Sequence, residues 1–127
     1  MTKAPLTYES ALARMAALCN RSEQCEDDLR RKLARGGLPG ADADKVIARL
    51  KETRMLDNGR FARLTADYKV RFCGWGRNKI RTALYAKRIN STDILAALSA
   101  IDEEEYGAAL RRVCNAKART LELTNRE

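Results

Sequence analysis

An internal repeat of apolar positions is the feature that most constrains how this sequence folds. A shift of 51 residues aligns Leu29, Leu33 and Leu38 with Ile80, Leu84 and Ile89. Closing a three-residue gap in the next turn aligns Val46, Ile47 and Leu50 with Ile94, Leu95 and Leu98. Spacings of three and four residues place such side chains on one helix face. The repeat therefore predicts tandem three-helix units that form an elongated array.

The repeat and the composition together predict an all-α fold in three parts. Only two of the 127 residues are proline and seven are glycine, which favours helix over sheet. We expect a first three-helix repeat over residues 1–56 and a second, basic repeat over residues 57–101. Residues 102–127 would then supply the first helix of a third repeat, which we expect to be incomplete.

Apolar spacing predicts the buried face of each helix. The expected stripes are Leu12, Met15, Ala16 and Cys19 in the first helix; Phe61, Leu64, Tyr68 and Phe72 in the fourth; Ile94, Leu95, Leu98 and Ile101 in the sixth; and Tyr106, Leu110, Val113 and Cys114 in the seventh. Ser22 and Asp57 are the predicted N-caps of the second and fourth helices, because their side chains accept hydrogen bonds from free amide groups.

The second helix, expected to run to about Arg35, balances its own charges. Its predicted pairs at i,i+4 are Glu26 with Arg30, Asp27 with Arg31 and Asp28 with Lys32. Each such pair stabilises a helix by about 0.2–0.5 kcal/mol. Its basic residues are therefore interpreted as a solvated, neutralised face rather than a binding motif.

The corresponding stretch of the second unit is different. Residues 69–89 hold seven basic residues and no acidic one, so they supply +7 of the formal net charge of +8. The fifth helix, predicted from about residue 77 to residue 87, has no acidic partner within it for any cation. A helical projection places Arg77, Arg81, Tyr85 and Arg88 on one flank of the buried stripe. Cations interleaved with rings indicate a surface for a polyanion or an acidic protein groove.

The predicted binding residues comprise that flank and its basic neighbours. They are Lys69, Arg71, Arg77, Lys79, Arg81, Tyr85, Lys87 and Arg88. A merely solvated basic face is the alternative interpretation. Trp75 also has two interpretations: a buried wedge between helices, with Gly76 as the tight start of the fifth helix, or a partly exposed ring that stacks on a base or a partner side chain.

Other features exclude several functional classes. The chain has no histidine, and its four cysteines lack C-x-x-C spacing, so we expect reduced structural thiols, no metal and no cofactor. There is no phosphate-binding or dinucleotide-binding glycine motif, so we expect no catalytic residue, no enzyme activity and no small-molecule substrate. No apolar run is long enough to span a bilayer or to resemble a signal peptide, so we expect a cytoplasmic protein without a membrane partner.

Several short motifs, taken in order, resemble the RecX family of regulatory proteins. They are residues 28–33 (DLRRKL) with Gly37; residues 46–50 (VIARL) with 55–57 (MLD) and 60–62 (RFA); Trp75-Gly76 with Ile80-Arg81, Leu84 and Ile89; and residues 101–106 (IDEEEY). The resemblance covers about residues 8 to 119. The match is carried by order and spacing, since each motif is weak alone.

The resemblance implies a curved array of three-helix repeats and a non-enzymatic function. RecX-like proteins modulate the recombinase RecA, so the implied partner is the RecA filament on single-stranded DNA, bound in its helical groove by a monomer. Asp57, Phe61, Trp75 and Gly76 would be structural motif residues. The chain departs from the family pattern at Arg88, where glycine is frequent, at Asn58, where aspartate is common, and in its short third repeat.

Two other functions fit the residues without the resemblance. One is a stand-alone helical protein that binds DNA through the basic second repeat. The other is a structural adaptor whose basic surface serves only solubility. Binding to bare DNA, and its dependence on salt, would distinguish the first of these from a filament modulator.

Overall fold

The computed structural model describes the backbone of residues 6–124 and the side chains of residues 6–117, and this part of the chain is entirely helical. Its helices are α1 (Tyr8–Arg21), α2 (Glu26–Arg35), α3 (Gly40–Glu52), α4 (Asn58–Cys73), α5 (Arg77–Ala86), α6 (Ser91–Ser99) and α7 (Glu103–Thr124). The prediction of an all-α fold is confirmed. Among the described helices, none combines the length and the apolar character that crossing a membrane requires.

The helices form two compact units. The first contains the described residues up to Phe61 together with Lys87–Ile89, and the second contains Ala62–Ala86 and the described residues from Asn90 onward. The predicted boundaries after residues 56 and 101 stay a prediction.

The core of the first unit comes from the face that the repeat predicts. Its buried side chains are Ala11, Met15, Leu29, Leu33, Leu38, Ala43, Val46, Ile47, Leu50 and Leu56. Leu12, Ala16 and Cys19 of α1 pack against this cluster while remaining partly exposed. Burying a leucine or isoleucine side chain contributes about 1.5–3 kcal/mol, so this stripe is the main source of stability of the unit.

The second unit buries a different set of faces from those expected. Its buried side chains are Ala62, Ala66, Val70, Ile80, Leu84, Ile94, Ala97, Leu98 and Ala109. Leu95 is 59% exposed, so its predicted burial in α6 is wrong. The buried stripe of α6 runs through Ile94, Ala97 and Leu98. Successive residues of a helix are rotated by 100°, so Leu95 lies on a different face from its neighbour Ile94. Cys114 in α7 is also exposed, and Ala109 occupies the centre of the buried face instead.

Helix α4 contains the largest error in the predicted core. Ala62, Ala66 and Val70 face inward, whereas Leu64, Tyr68 and Phe72 are exposed. Both sets repeat every four residues, so periodicity alone does not distinguish them. The smaller residues are the buried ones because they let the backbone of α4 approach neighbouring helices closely.

Helix α2 begins later than predicted and is capped from another element. Its N-cap residue is Cys25, which makes no capping bond through its side chain. The amide of Glu26 instead donates to Oδ1 of Asn58, 2.9 Å away. Ser22 lies at the other end of the connection, where its amide donates to the carbonyl of Leu18 and closes α1. The predicted N-cap at Ser22 is therefore wrong.

Several other helices begin with a side-chain cap, among them α4 and α6. Oδ1 of Asp57 accepts from the amide of Arg60 at 2.9 Å, and Oδ1 of Asn90 accepts from the amide of Asp93 at 2.8 Å. These bonds satisfy amides that have no partner within the helix, which is worth about 1 kcal/mol for each cap.

The repeat extends to backbone conformation. Gly37 follows α2 with a φ of +80°, and Arg88, 51 positions later, follows α5 with a φ of +57°. Left-handed backbone suits glycine and costs an L-residue about 1–2 kcal/mol. Both sequence repeats therefore turn in the same way, and the second repeat does so with a strained arginine.

Candidate functional site

The seven cations of residues 69–89 fall into three groups along the chain. Two lie in α4, three in α5 and two in the turn after α5. Each group has different partners, and these partners decide which cations are available to a ligand.

Lys87 and Arg88 form ion pairs with carboxylates at the start of α2. Nζ of Lys87 donates to both carboxylate oxygens of Asp28, at 2.8 and 3.0 Å, and Nε of Arg88 lies 3.6 Å from Oδ1 of Asp27. The predicted pair of Asp28 with Lys32 does not form. Because the hydrogen bond to Asp28 outweighs burial, the pKa of Lys87 is raised. Burial pushes the pKa of Asp28 upward, but the hydrogen bond from Lys87 and other interactions outweigh it, so that pKa is lowered.

The turn also breaks the predicted flank. Helix α5 ends at Ala86, and Arg88 has left-handed backbone beyond that end, so the helical projection that put Arg88 in line with Arg77 and Arg81 does not apply. Lys87 and Arg88 belong to the first compact unit. Their role in the structure is to hold the α5–α6 turn to the carboxylates of α2.

Arg71 and Arg77 are paired within the second unit. Arg71 bridges Asp67, at 2.8 Å from Nε, and Glu105, at 2.9 Å from Nη2. Arg77 contacts Glu103 through Nη2 at 2.6 Å, and its guanidinium lies 4.1 Å from the centroid of the Tyr106 ring. The prediction that the fifth helix has no acidic partner for any of its cations is wrong, because Glu103 of α7 pairs with Arg77.

The remaining cations, Lys69, Lys79 and Arg81, have no carboxylate partner among the described residues. Nζ of Lys69 and Nζ of Lys79 lie 4.5 and 4.4 Å from the centroid of the Trp75 ring. Arg81 contacts only a neutral side chain, donating from Nη1 to Oδ1 of Asn78 at 3.1 Å. Two ammonium groups therefore share one indole ring, and no carboxylate of the described residues offsets their charge.

Exposed rings lie beside these lysines. Tyr68 is 54% exposed and Phe72 is 74% exposed, and their ring centroids are 5.1 Å apart. Nζ of Lys69 also lies 5.9 Å from the centroid of Tyr68. Sequence analysis missed Tyr68 and Phe72 as surface residues, because large apolar side chains at helical spacing usually indicate a core. The competing Ala62, Ala66 and Val70 stripe was the available signal.

The other predicted residues occupy mixed environments. Trp75 and Phe61 are half-buried, and Tyr85 is 76% exposed. A Cβ at Gly76 would lie 3.4 Å from the hydroxyl of Tyr106, and that hydroxyl accepts a hydrogen bond from the amide of Arg77 at 3.0 Å. That distance is an ordinary van der Waals contact, and it is the hydrogen bond that joins Tyr106 of α7 to the start of α5.

The cysteines do not form a chemical centre. Cys25 is buried, Cys19 is half-buried, and Cys73 and Cys114 are exposed, so only the first two contribute to packing. Burial raises the pKa of the Cys25 thiol, which favours its protonated form. Within residues 6–117, no group of histidine, cysteine, aspartate and glutamate side chains is arranged to hold a metal ion.

Comparison with known proteins identifies the same family as the sequence motifs. Residues 57–98 match the family model described as RecX, second three-helix domain. A regulatory protein RecX from Clostridium perfringens (strain 13 / Type A) is 35% identical over 80 residues, which are 63% of this chain and 37% of the relative. The chain thus spans little more than a third of that relative.

A solved structure shows that the fold is similar too. A crystal structure of a regulatory protein RecX aligns with a TM-score of 0.73 and 22% identity, covering 80% of this chain and 51% of the solved chain. Family model, curated relative and solved fold agree with the motifs, and each of them is similar to this chain over part of its length and comes from the RecX regulatory proteins.

Proposed function

We propose that this chain is a non-enzymatic regulator of a recombinase in DNA repair. It binds the RecA filament on single-stranded DNA and hinders filament extension, ATP turnover or strand exchange. It acts in the cytoplasm as a monomer. The family relationship supports a regulatory role, and the cations of the second unit supply a surface for the filament.

One observation carries this proposal: Lys69, Lys79 and Arg81 have no carboxylate partner among the described residues, although each neighbouring guanidinium, Arg71 and Arg77, has one. Unpaired cations on a folded surface attract a polyanion or an acidic protein groove over about 10 Å at moderate ionic strength. They lie within residues 57–98, the region that the RecX family model matches.

The test is ATP turnover by the host RecA on single-stranded DNA while the chain is titrated in below the recombinase concentration. Inhibition at substoichiometric ratios is the expected result, because a protein that blocks filament growth acts on many protomers. A folded chain that binds bare DNA but leaves ATP turnover unchanged would instead support stand-alone DNA binding.

A charge-matched pair of variants locates the surface. The triple variant Lys69→Glu, Lys79→Glu and Arg81→Glu is expected to abolish inhibition while its circular dichroism stays helical. The control changes three exposed cations of the first unit by the same total charge: Lys32→Glu, Arg35→Glu and Lys45→Glu. Equal loss of inhibition in both variants would show that net charge, rather than this surface, is responsible.

A further inference from the structure

Three rings and two ammonium groups follow one another along the end of α4 and the start of α5. The order is Phe72, Tyr68, Lys69, Trp75 and Lys79, and we call these five residues the ring–lysine track. Successive distances are 5.1 Å between the first two rings, 5.9 Å from Tyr68 to Nζ of Lys69, and 4.5 and 4.4 Å from the Trp75 ring to the two ammonium groups. All five residues lie in the second unit.

The track is costly to leave uncovered. Phe72 and Tyr68 keep most of their surface in water, although burying a large apolar side chain would contribute about 1.5–3 kcal/mol. Lys69 and Lys79 place two positive charges beside one ring, and no carboxylate of the described residues offsets them. A ligand that presents both flat rings and negative charge would complement both features.

The surface beside Trp75 leaves room for such a ligand. An open groove runs along α5 from Trp75 and Lys79 to Ala86, with Asn78 and Thr82 as its neutral polar groups. Its floor is made of small side chains, so a flat group reaches the edge of the Trp75 ring without displacing a bulky residue.

Two neighbouring guanidinium groups are already occupied. Arg71 and Arg77 hold Asp67, Glu105 and Glu103. The cations of the track are ammonium groups without a carboxylate partner among the described residues, and they can bind phosphates as point charges. The exposed rings beside them favour a ligand with flat faces, since bases stack on aromatic side chains.

We propose that the ring–lysine track binds single-stranded nucleic acid, with bases stacked on the exposed rings of Phe72 and Tyr68 and phosphates neutralised by Lys69 and Lys79 beside Trp75. A single strand fits because its bases expose their faces, whereas the faces of duplex bases are already stacked. Stacking tolerates any base, so the binding has no strict sequence preference. The inference deepens the proposed function, because it assigns the DNA contact within the filament to these residues, yet it is measurable without RecA.

The direct test uses Trp75, the only tryptophan of the chain. Titration of the full chain with oligo-dT at low salt is expected to quench Trp75 fluorescence saturably. Two neutralised phosphates predict a slope of about −1.4 for the logarithm of the binding constant against the logarithm of salt concentration. A same-length duplex is expected to bind more weakly.

Variants assign the binding to the track, with affinity measured by anisotropy of labelled oligo-dT so that the signal does not depend on Trp75. Phe72→Ala is expected to weaken binding by about 5- to 150-fold, the range found for loss of one stacked base. Lys69→Gln with Lys79→Gln is expected to weaken it at least about tenfold and to flatten the salt slope. The control, Arg35→Gln with Lys45→Gln, removes the same charge from the first unit and is expected to stay within about twofold.

Three results would overturn the inference. They are absence of quenching in a folded chain at low salt, equal losses in the track and control variants, and saturable binding of poly-glutamate at the track with no binding of oligo-dT. The proposed function is tested separately, by the RecA assay. If oligo-dT quenches Trp75 but ATP turnover is unaffected, the proposed function fails and the track stands; if inhibition survives in track variants that no longer bind oligo-dT, the track does not serve the inhibition.

Discussion

Gly74, which directly follows α4, is a position where one added methyl group should be strongly destabilising. Its φ is +64°, in the region that L-residues rarely adopt. A Cβ at this position would overlap Cγ2 of Val113 and lie 3.3 Å from its Cβ. Val113 is β-branched, so these atoms do not move aside through a distant torsion. Gly74→Ala therefore combines backbone strain with overpacking.

The two effects have separate magnitudes. Left-handed backbone costs an L-residue about 1–2 kcal/mol, and inserting a methyl group into a packed site costs about 1–3 kcal/mol. We expect Gly74→Ala to lower the free energy of unfolding by about 2–5 kcal/mol. Urea unfolding followed by Trp75 fluorescence measures this locally, because Trp75 is the next residue.

Gly40→Ala is the matched control. A Cβ at Gly40 meets nothing within 4 Å, and its φ lies outside the left-handed region, so this change should be neutral or should stabilise by about 0.4–1 kcal/mol. A double-mutant cycle with Val113→Ala then separates the two costs, since only the overpacking should disappear. If Gly74→Ala costs the same with and without the Val113 side chain, the packing of α7 against residue 74 is refuted.

Two further predictions concern contacts that hold the first unit together. Asn58→Ala removes the acceptor at the start of α2 and should lower the free energy of unfolding by about 1 kcal/mol, measured by urea unfolding. Asn58→Asp should retain most of that stability, because a carboxylate also accepts from the Glu26 amide. Equal losses in the two variants would contradict the cap. Lys87→Met should cost about 0.5–1 kcal/mol near neutral pH, since its half-exposed pair with Asp28 is screened by solvent. The lowered pKa of Asp28 gives stability that is present above about pH 4 and is lost as the pH falls through the pKa of the folded state. The raised pKa of Lys87 gives stability that is lost only as the pH rises above about 10. A stability difference between wild type and Lys87→Met that persists at pH 2 would argue against the pair.

The helix order and the repeated core were predictable because they depend on local spacing. Leu29 and Leu33, like Ile80 and Leu84, are three or four residues from their neighbours on the same face, and all four are fully buried. Asp57 and Asn90 accept from amides three residues ahead, a range that sequence inspection covers. Such features need no knowledge of which helix packs on which.

The face of α4 and the partners of the basic segment depend on distant residues instead. Val70 is buried and Phe72 is exposed because packing in the second unit favours close approach of the helix backbones over burial of the largest apolar side chains. The spacing of apolar residues along one helix does not reveal this preference. The partners of Lys87 and Arg77 lie 59 and 26 positions away, beyond any i,i+4 rule. Sequence analysis therefore could not tell which cations of the basic segment already have carboxylate partners, and the binding residues stay a prediction.

This redistribution of charge changes what the net charge of +8 means for binding. If all seven cations of residues 69–89 were available, seven neutralised phosphates would predict a salt slope of about −4.9 on single-stranded DNA. Four of them already hold carboxylates, so only Lys69, Lys79 and Arg81 remain among the described residues, and the slope should lie between about −1.4 and −2.1. With so few phosphates neutralised, most of the affinity must come from stacking on the exposed rings, and binding should survive physiological salt better than a chain of this charge would suggest. A slope near −4.9 would mean that DNA displaces five carboxylates from their partners, namely Asp27, Asp28, Asp67, Glu103 and Glu105. All seven cations would then be available to DNA.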